Sequence, residues 1–241
     1  MCRMSSLGRI FLSKKFHERM QVDRYPILRF IRAEALPMMS PGVKVLDAGS
    51  GRLPEQTMRD EILATGATLH TLDFCAGAGV DHVGDVSAMP FETGTYDIVL
   101  CMQVLEHVTD PAKVCGELAR VLKPGGHVFV TAPQSSPIHN EPWNFFNFTR
   151  IGLELLFKNA GLTVIKQEAQ GGHFALLAFE LHWTSRLIER GSLPKIVKVP
   201  LVIFTKIVFG FVVKIILMAM DRWDTKRLNT QGWNFHGQKP A

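Results

Sequence analysis

The feature that most constrains the fold is a regular alternation of short apolar runs with helical patterns between residues 43 and 170. Runs typical of strands occupy residues 43–49, 68–74, 78–86, 96–103, 126–133 and 162–170, and helical patterns occupy 53–66, 110–126 and 149–161. Strands that alternate with helices of this length predict a parallel sheet covered by helices on both faces. We therefore predict an α/β fold with a Rossmann-like, doubly wound and mostly parallel sheet.

The alternation stops at Gly171. Residues 174–190 (FALLAFELHWTSRLIER) are helical and apolar, and a second apolar stretch follows the segment GSLP. Only the segment that begins at residue 228 can return to the sheet as a final strand. The prediction is a seven-stranded sheet with a helical hydrophobic insertion between strands six and seven.

Composition narrows the function classes. The chain has 241 residues, of which 46% are hydrophobic and 20% charged, which is too much charge for a polytopic membrane protein and too little for a disordered chain. Its four cysteines (Cys2, Cys75, Cys101, Cys115) are scattered without a CxxC pair, so we expect reduced thiols and no metal site. The basic N-terminus has no apolar run typical of a signal peptide, which favours the cytoplasm.

The stretch VKVLDAGSGRLPEQ (residues 43–56) predicts a strand, a glycine turn and a helix. Gly49 and Gly51 would let a ligand approach backbone N–H groups at the start of that helix. A dinucleotide fingerprint, G-x-G-x-x-G, would need a third glycine that is missing here. Asp47 would repel a pyrophosphate but suits a ligand that carries an ammonium or a sulfonium.

Two further carboxylates extend this pattern. Asp73 ends the second strand, where it can accept bonds from ribose hydroxyls, and Asp85 follows the third strand, where it can accept from an adenine amino group. An adenosine with a cationic tail is S-adenosylmethionine. Each acid alone is also compatible with a helix cap or a strand end, and it is their order along the chain that favours the cofactor.

The segments VLDAGSG, GDVSAMPF, VLEHVTDP and RVLKPGG resemble class I S-adenosylmethionine-dependent methyltransferases of the type 11 subgroup over residues 40–170. The resemblance implies cofactor contacts at Asp47, Gly49, Gly51, Asp73, Asp85, Val86, Cys101 and Gln103. Leu53 departs from it, because many members carry glycine there. The resemblance also implies that Glu106 and His107 shape the site and that Lys123–Gly126 is a structural turn.

The acceptor is expected above the carboxyl ends of the strands. The loop PQSSPIHNEPWNFFNFT (133–149) is long and aromatic, and it predicts a substrate loop in which His139 is the first candidate base and Glu141 the second. His139 could equally bond only the backbone of its own loop. More loosely, this loop resembles bacterial methyltransferases associated with cell-surface polysaccharide synthesis.

The insertion predicts membrane attachment. Residues 201–220 match a membrane span in length but contain Lys206 and Lys214, which form a basic stripe with Lys195 and Lys198. Lysines at these positions favour a helix that lies in the interface and sends their stems towards anionic headgroups, with Phe204, Phe209 and Phe211 towards lipid. The basic segment 1–24 could add to this attachment. The alternative is a core helix or an oligomer interface.

Together these patterns predict basic N-terminal helices (1–40), an S-adenosylmethionine-binding methyltransferase domain (41–173 and 228–241) and a membrane-association insertion (174–227). We expect a methyltransferase at the cytoplasmic face of the membrane, with a lipid-linked or amphiphilic acceptor such as a lipid-carried saccharide or a quinone-like lipid. The alternatives are a soluble small-molecule acceptor with 174–220 as an oligomer interface, and a non-catalytic membrane-docked partner. Basic charge embedded among apolar residues argues against nucleic acid.

Overall fold

The computed structural model describes residues 21, 23–51 and 56–241. It divides into an α/β unit, formed by Leu28–Glu168 and Gly232–Ala241, and a helical unit, formed by Ala169–Gln231 and the described residues before Leu28. The predicted segment 1–24 and the predicted departure at Leu53 lie outside the described residues, apart from residues 21, 23 and 24. Residues 28–40, which we had grouped with the N-terminal helices, belong to the α/β unit.

These residues are part of the core for a physical reason. Helix α1 (Tyr25–Phe30) continues as a π-helical turn, Ile31–Ala35, and a short 3-10 turn, Leu36–Met38. Phe30 and Ile31 are almost fully buried, and Phe30 packs edge to face on Phe129 with ring centroids 6.1 Å apart. Burial of large apolar side chains holds this segment on the sheet.

The sheet has seven strands, as predicted: β1 (Lys44–Ala48), β2 (Thr68–Asp73), β3 (His82–Val83), β4 (Tyr96–Met102), β5 (Leu122–Pro133), β6 (Thr163–Ala169) and β7 (Gly232–Gln238). Their order is β3-β2-β1-β4-β5-β7-β6. Strands β1 to β5 pair in parallel, and β7 pairs antiparallel with β5. The strand order reverses between β1 and β4, and at such a switch point the carboxyl ends of the strands form a crevice for ligands.

Helices α2 (Gln56–Ala64), α3 (Pro111–Val121) and α4 (Arg150–Asn159) complete the α/β unit among the described residues. Side chains cap two of them, because Asp110 accepts the N–H of Lys113 and Thr149 accepts the N–H of Gly152. Cys101 and Cys115 are free and buried, in agreement with the predicted core thiols.

One predicted boundary is wrong. Helix α3 ends at Val121 rather than near residue 126, and β5 begins at Leu122 instead of after the predicted turn Lys123–Gly126. Pro124 cannot continue a helix, and the N–H of Gly125 donates to the carbonyl of Lys239 just beyond β7. This pairing with the last strand is a long-range contact that the local pattern does not contain.

The helical unit contains α5 (His173–Arg190), α6 (Lys195–Ile207), a π-helical segment (Val208–Val212), α7 (Val213–Met220) and a 3-10 turn (Asp221–Trp223). We call residues 173–223 the helical hairpin, with α5 as its first limb and residues 195–223 as its second. The second limb, Lys195–Trp223, is long and apolar enough to cross a membrane by length and composition. It passes this test alone among the described residues.

The structure corrects the predicted orientation of the lysine stripe. Lys198 donates to the carbonyl of Gly191 at 2.6 Å, Lys206 pairs with Glu189, and Lys214 is buried. Lys198 and Lys206 therefore contact the first limb and the connecting loop instead of extending away from the hairpin. Charged groups in an apolar helix gain more from a nearby carboxylate or helix carbonyls than from an unpaired position.

Candidate cofactor and acceptor site

The glycine turn follows β1 in the conformation that its sequence predicts. Gly49 and Gly51 have φ of +82° and +74°, values that favour glycine, and the N–H of Gly49 donates to the carbonyl of Leu72 at 2.8 Å. A Cβ on Gly49 would lie 2.3 Å from Cγ2 of Val104. The turn is therefore pressed against the segment that follows β4, and only glycine fits there.

Asp73 joins the end of β2 to this turn. Its Oδ2 accepts the N–H of Gly51 at 2.9 Å, and its Oδ1 accepts the N–H of Cys75 at 3.0 Å. The carboxylate is half-buried, and each of its oxygens keeps a further lone pair for a ligand hydroxyl. This arrangement suits a residue that holds a ribose beside the turn.

The other predicted acids lie along the same edge of the sheet. Asp47 is half-buried in β1, in register with Thr71 on one side and Leu100 on the other. Asp85 is exposed after β3, and its Oδ1 accepts the N–H of Ser87 at 2.7 Å. Three carboxylates near a glycine turn make this edge favourable for a cationic ligand.

Two other predicted contacts are also placed in this region. Val86 follows Asp85 and is buried, so it can offer an apolar wall. Gln103 directly follows β4 with φ of +55°, and its N–H donates to the carbonyl of Thr131 at 2.9 Å. A non-glycine residue in this strained conformation is common where a loop is held for binding.

Cys101 requires a correction. Its exposed fraction is 0%, and burial, followed by the neighbouring acidic groups, raises the pKa of its thiol well above the usual value. The side chain is a neutral core group of β4 and is not available to a ligand. The resemblance placed a contact here because the end of β4 lines the site, but Gln103 is the residue of that strand end with an accessible side chain.

A test of fit for S-adenosylmethionine comes from Ser50, which sequence reasoning did not select. Its Oγ is buried and has no hydrogen-bond partner among the described residues. A buried hydroxyl without a partner is costly, and a bound polar ligand would satisfy it. With the carboxylates of Asp47 and Asp73, this hydroxyl gives a donor and acceptor set that fits an adenosine that carries an ammonium and a sulfonium.

A second cluster lies directly after β4, in the 3-10 turn Leu105–His107. The loop that follows β5 packs on this turn, because the carbonyl of Glu106 accepts the N–H of Phe145 at 2.8 Å. The ring nitrogen Nδ1 of His107 lies at hydrogen-bond distance from the carbonyl of Trp143. Since a carbonyl can only accept, Nδ1 carries the proton and Nε2 keeps its lone pair.

His139, the first candidate base, lies beside His107. Its Nδ1 donates to the carbonyl of Pro137 at 3.0 Å, so its Nε2 also keeps a lone pair. The two imidazole rings meet edge to face with centroids 4.9 Å apart. Burial, followed by the adjacent His139, lowers the pKa of His107, while the bond to Trp143 opposes this effect. His107 is therefore neutral at neutral pH.

Glu106 is the third member of this cluster. Its carboxyl is 1% exposed, burial raises its pKa to about 8, and its Oε2 has no hydrogen-bond partner among the described residues. Oxygen and nitrogen atoms of Glu106, His107 and His139 all lie within 4.8 Å of one another. A group of this spacing can share a proton or contact a single cation, and the absence of a metal site stays a prediction.

The remaining part of the loop is apolar and exposed. Ile138, Trp143, Phe145 and Phe146 are between 40% and 72% exposed, and they flank the second candidate base, Glu141, which is exposed as well. Exposed aromatic side chains on a loop that carries a histidine favour an acceptor with an apolar part. The structure therefore brings His139 next to His107 and Glu106, while the role of Glu141 stays a prediction.

Sequence reasoning treated Glu106 and His107 as groups that only shape the site. The signal that could have identified them is their position, one turn after the strand whose end lines the cofactor crevice. Their partner His139 lies more than thirty residues further along the chain, and only the fold brings the two segments together.

Comparisons with known proteins agree with this geometry. Residues 47–130 match the family model of a methyltransferase domain. The ubiquinone biosynthesis O-methyltransferase of Pectobacterium atrosepticum is 40% identical over 102 residues, which cover 36% of this chain and 42% of that protein. The enzyme of the same name from Vibrio parahaemolyticus is 33% identical over 135 residues, covering 48% of this chain and 52% of that protein. The chain thus matches about half the length of these relatives or less.

Solved structures support the fold. The [4+2]-cyclase SpnF has a TM-score of 0.55 at 20% identity, covering 90% of this chain and 81% of that chain. The phosphoethanolamine N-methyltransferase 2 of Haemonchus contortus, in complex with S-adenosyl-L-methionine, has a TM-score of 0.55 at 17% identity, covering 99% of this chain and 61% of that chain. Since one of these proteins is named as a cyclase, the fold alone does not decide the reaction.

Residues 47–130 match a methyltransferase domain model, and the strand order and the glycine turn with its carboxylates agree with the fold of class I S-adenosylmethionine-dependent methyltransferases.

Proposed function

We propose that the protein transfers a methyl group from S-adenosylmethionine to a hydroxyl oxygen of an amphiphilic acceptor at the cytoplasmic face of a membrane. The cofactor, when bound, supplies a methyl group on a positively charged sulfur that leaves as a neutral thioether. The glycine turn, Asp47 and Asp73 would hold it, and Asp85 and Val86 would contact its adenine end.

The observation that carries the choice of oxygen is the histidine pair. A hydroxyl must lose its proton as the new carbon–oxygen bond forms, and a neutral imidazole near its working pH is an effective base. His107 and His139 each direct their Nδ1 proton to a backbone carbonyl, which leaves Nε2 to accept the proton from the acceptor. The segment that carries His107 begins at Val104, which contacts the cofactor turn at Gly49.

The apolar loop supports an amphiphilic acceptor. Trp143 and Phe145, whose ring centroids are 6.4 Å apart, lie in the loop that holds His139 and are largely exposed. They can cover an apolar tail while the hydroxyl-bearing part reaches the histidines. The relatives named for ubiquinone biosynthesis add support for a quinone-like phenol as the acceptor. A lipid-carried saccharide is the second acceptor class that the sequence favoured.

The test begins with the cofactor. We expect Asp73→Asn to weaken binding of S-adenosylmethionine by at least about tenfold in calorimetry, because a ligand hydroxyl would lose a charged acceptor. Asp97→Asn is the matched control, since this carboxylate accepts from Lys44 and Lys123 at the opposite end of β4. Equal affinity in the two variants would contradict the assigned site.

The acceptor is tested with labelled cofactor. The purified protein is incubated with methyl-labelled S-adenosylmethionine and total membrane lipids, and in parallel with a cytosolic extract. Label in the lipid extract that resists mild base and is lost in Asp73→Asn supports methyl transfer to an amphiphile and excludes a methyl ester, and the position of the methyl group on oxygen is then read from the mass spectrum of the labelled lipid. Label only in water-soluble products would favour the soluble acceptor, and cofactor binding without transfer to either extract would favour the non-catalytic reading.

A further inference from the structure

The helical hairpin carries an inference about how the chain meets a lipid surface, independent of methyl transfer. Its two ends lie together, because the buried carboxylate of Asp221 accepts the N–H groups of Gly172 and Ala175, and Thr230 donates to the carbonyl of Gly171 at 2.7 Å. The chain therefore enters and leaves the hairpin at the same point. Whatever surface the hairpin meets, both of its ends stay on one side of that surface.

Three lysines in the interior of the second limb are bonded within the hairpin or buried, whereas Lys195 and Arg222 near its two ends are exposed. Lys206 pairs with Glu189 of the first limb, and Lys198 donates to the carbonyls of Glu189 and Gly191. Lys214 is only 7% exposed. A lysine whose ammonium is already bonded or enclosed leaves the opposite side of its helix free of charge.

The outer side of the second limb is apolar and has no cover among the described residues of the helical unit. Its most apolar 18-residue window has a mean hydropathy of 2.4, yet only 22% of that window is buried. A core helix of the same composition would be mostly buried. The exposed side chains include Ile196, Ile203, Phe204, Ile207, Phe211 and Ile216, with exposed fractions between 42% and 85%.

The first limb differs from the second. Glu180 and Arg186 lie near its middle and are exposed, and its last residues, Glu189 and Arg190, are exposed as well. A charged group at the centre of a bilayer is costly, so the first limb cannot lie at that depth. A hairpin that crossed the bilayer with both ends on one side would have to carry this limb across too.

We infer that the helical hairpin is a monotopic anchor that lies in the plane of a bilayer. The apolar side of the second limb enters the boundary between headgroups and acyl chains, and the first limb faces water. Arg186, Arg190, Lys195, Arg222 and Lys226 remain exposed in residues 173–230, against the exposed acids Glu180 and Glu189, which favours anionic lipids. Trp223, exposed with the Arg222 guanidinium 5.8 Å from its ring centroid, is typical of an interfacial anchor.

The first experiment measures binding of the full chain to sealed vesicles of phosphatidylcholine with and without phosphatidylglycerol. We expect co-sedimentation with the anionic vesicles and at least a tenfold weaker partition for Phe204→Glu. Leu155→Glu is the matched control, because Leu155 lies on α4 of the α/β unit with an exposed fraction of 57%, against 58% for Phe204. Ile207→Glu repeats the test at a second position if Phe204→Glu fails to fold by circular dichroism.

Two results would overturn the inference. The first is that Phe204→Glu and Ile207→Glu both bind anionic vesicles as strongly as the wild type does. The second is a dimer in solution that Phe204→Glu dissociates while the wild type ignores vesicles, since the face would then bind a second copy of the chain.

A second experiment separates lying in the bilayer from crossing it. Ser192→Cys places a thiol in the loop between the limbs, in a background where Cys2 and Cys75 are replaced by serine. The protein is added to the outside of sealed vesicles and treated with a membrane-impermeant maleimide. Immediate labelling supports the in-plane arrangement, and labelling only after detergent would show that the loop has crossed.

Discussion

The imidazole rings of His107 and His139 meet edge to face with centroids 4.9 Å apart, although the two residues come from different segments of the chain. In each ring Nδ1 donates to a backbone carbonyl, which leaves Nε2 without a bond to the backbone of the loop. This pair of histidines, in the loops that follow β4 and β5, is the feature that most sharply distinguishes this site from a plain cofactor pocket.

We expect His139→Asn to lower kcat by a factor of about 10² or more, in the range of general base catalysis. The dissociation constant for S-adenosylhomocysteine should stay unchanged, because His139 does not touch the glycine turn. Burial lowers the pKa of His107. A step that needs neutral His107 should therefore be lost at a lower pH than a step that needs an ordinary histidine. A loss of turnover in Glu141→Gln with full activity in His139→Asn would contradict the assignment.

Glu106 provides a prediction about stability. Burial raises the pKa of this carboxyl to about 8, whereas the unfolded chain would ionise it near its usual value of 4.5. The unfolded state therefore binds fewer protons in that interval, and the stabilising effect of the neutral carboxyl is lost as the pH rises towards 8. From pH 5 to 8 the free energy of unfolding should fall by about 3 kcal/mol from this group.

The measurement is urea unfolding at several pH values in the presence of a chelator, so that no stray cation holds the carboxylate. Glu106→Gln keeps the shape and removes the ionisation, so its stability should depend less on pH over the same range. Identical pH slopes for the variant and the wild type would show that Glu106 is not buried in its neutral form.

Gly49→Ala should destabilise the protein more than Gly94→Ala. Both glycines have positive φ, but a Cβ on Gly94 meets nothing within 4 Å, whereas a Cβ on Gly49 clashes with Val104. We expect Gly94→Ala to lower the free energy of unfolding by about 1 kcal/mol, because alanine is unfavourable at positive φ. Gly49→Ala should lower it by about 1–3 kcal/mol more, because of the clash with Val104. Thermal unfolding of the two variants checks the difference, and cofactor binding should be lost only in Gly49→Ala.

Asp221→Ala should loosen the base of the helical hairpin. The buried carboxylate accepts two backbone N–H groups that would otherwise stay unpaired, so its removal should cost about 1–3 kcal/mol. Asp224→Ala is the milder comparison, because Asp224 is less buried and accepts from His173 and Arg227. Hydrogen exchange of the amides of α5 should quicken more in Asp221→Ala. Equal exchange in both variants would argue against Asp221 as the closing contact.

The sequence was sufficient for the sheet because each strand is a local apolar run bounded by a turn. The glycine turn and Asp73 were also predictable, since a positive φ and a strand-end carboxylate are properties of single positions. The start of β5 was not, because the residues after Val121 become a strand through pairing with Tyr96 of β4 and with the last segment of the chain near Lys239. Cys101 is a similar case. The family resemblance places this position at the site, but its side chain points into the core, and the sequence does not show that direction.

The contact between His107 and His139 and the direction of the lysine stripe could not be predicted from the sequence, for a related reason. Helical periodicity placed Lys198, Lys206 and Lys214 on one side of the second limb, but it could not tell whether that side meets α5 or solvent. His139 and His107 lie on separate loops whose meeting depends on hydrogen bonds such as that between Phe145 and Glu106. Tertiary contacts decide which side of a helix is buried and which loops meet, and a single sequence does not reveal those contacts.

The hydrogen bond between Thr230 and Gly171 has a consequence for folding order. Strands β6 and β7 are neighbours in the sheet, but the chain between Ala169 and Gly232 is long and its closure is entropically unfavourable. A hairpin that forms first brings residues 171 and 230 within 2.7 Å and shortens this connection to a few residues. The hairpin would then lower the entropic cost of adding the last strand, whose antiparallel pairing with β5 completes the sheet.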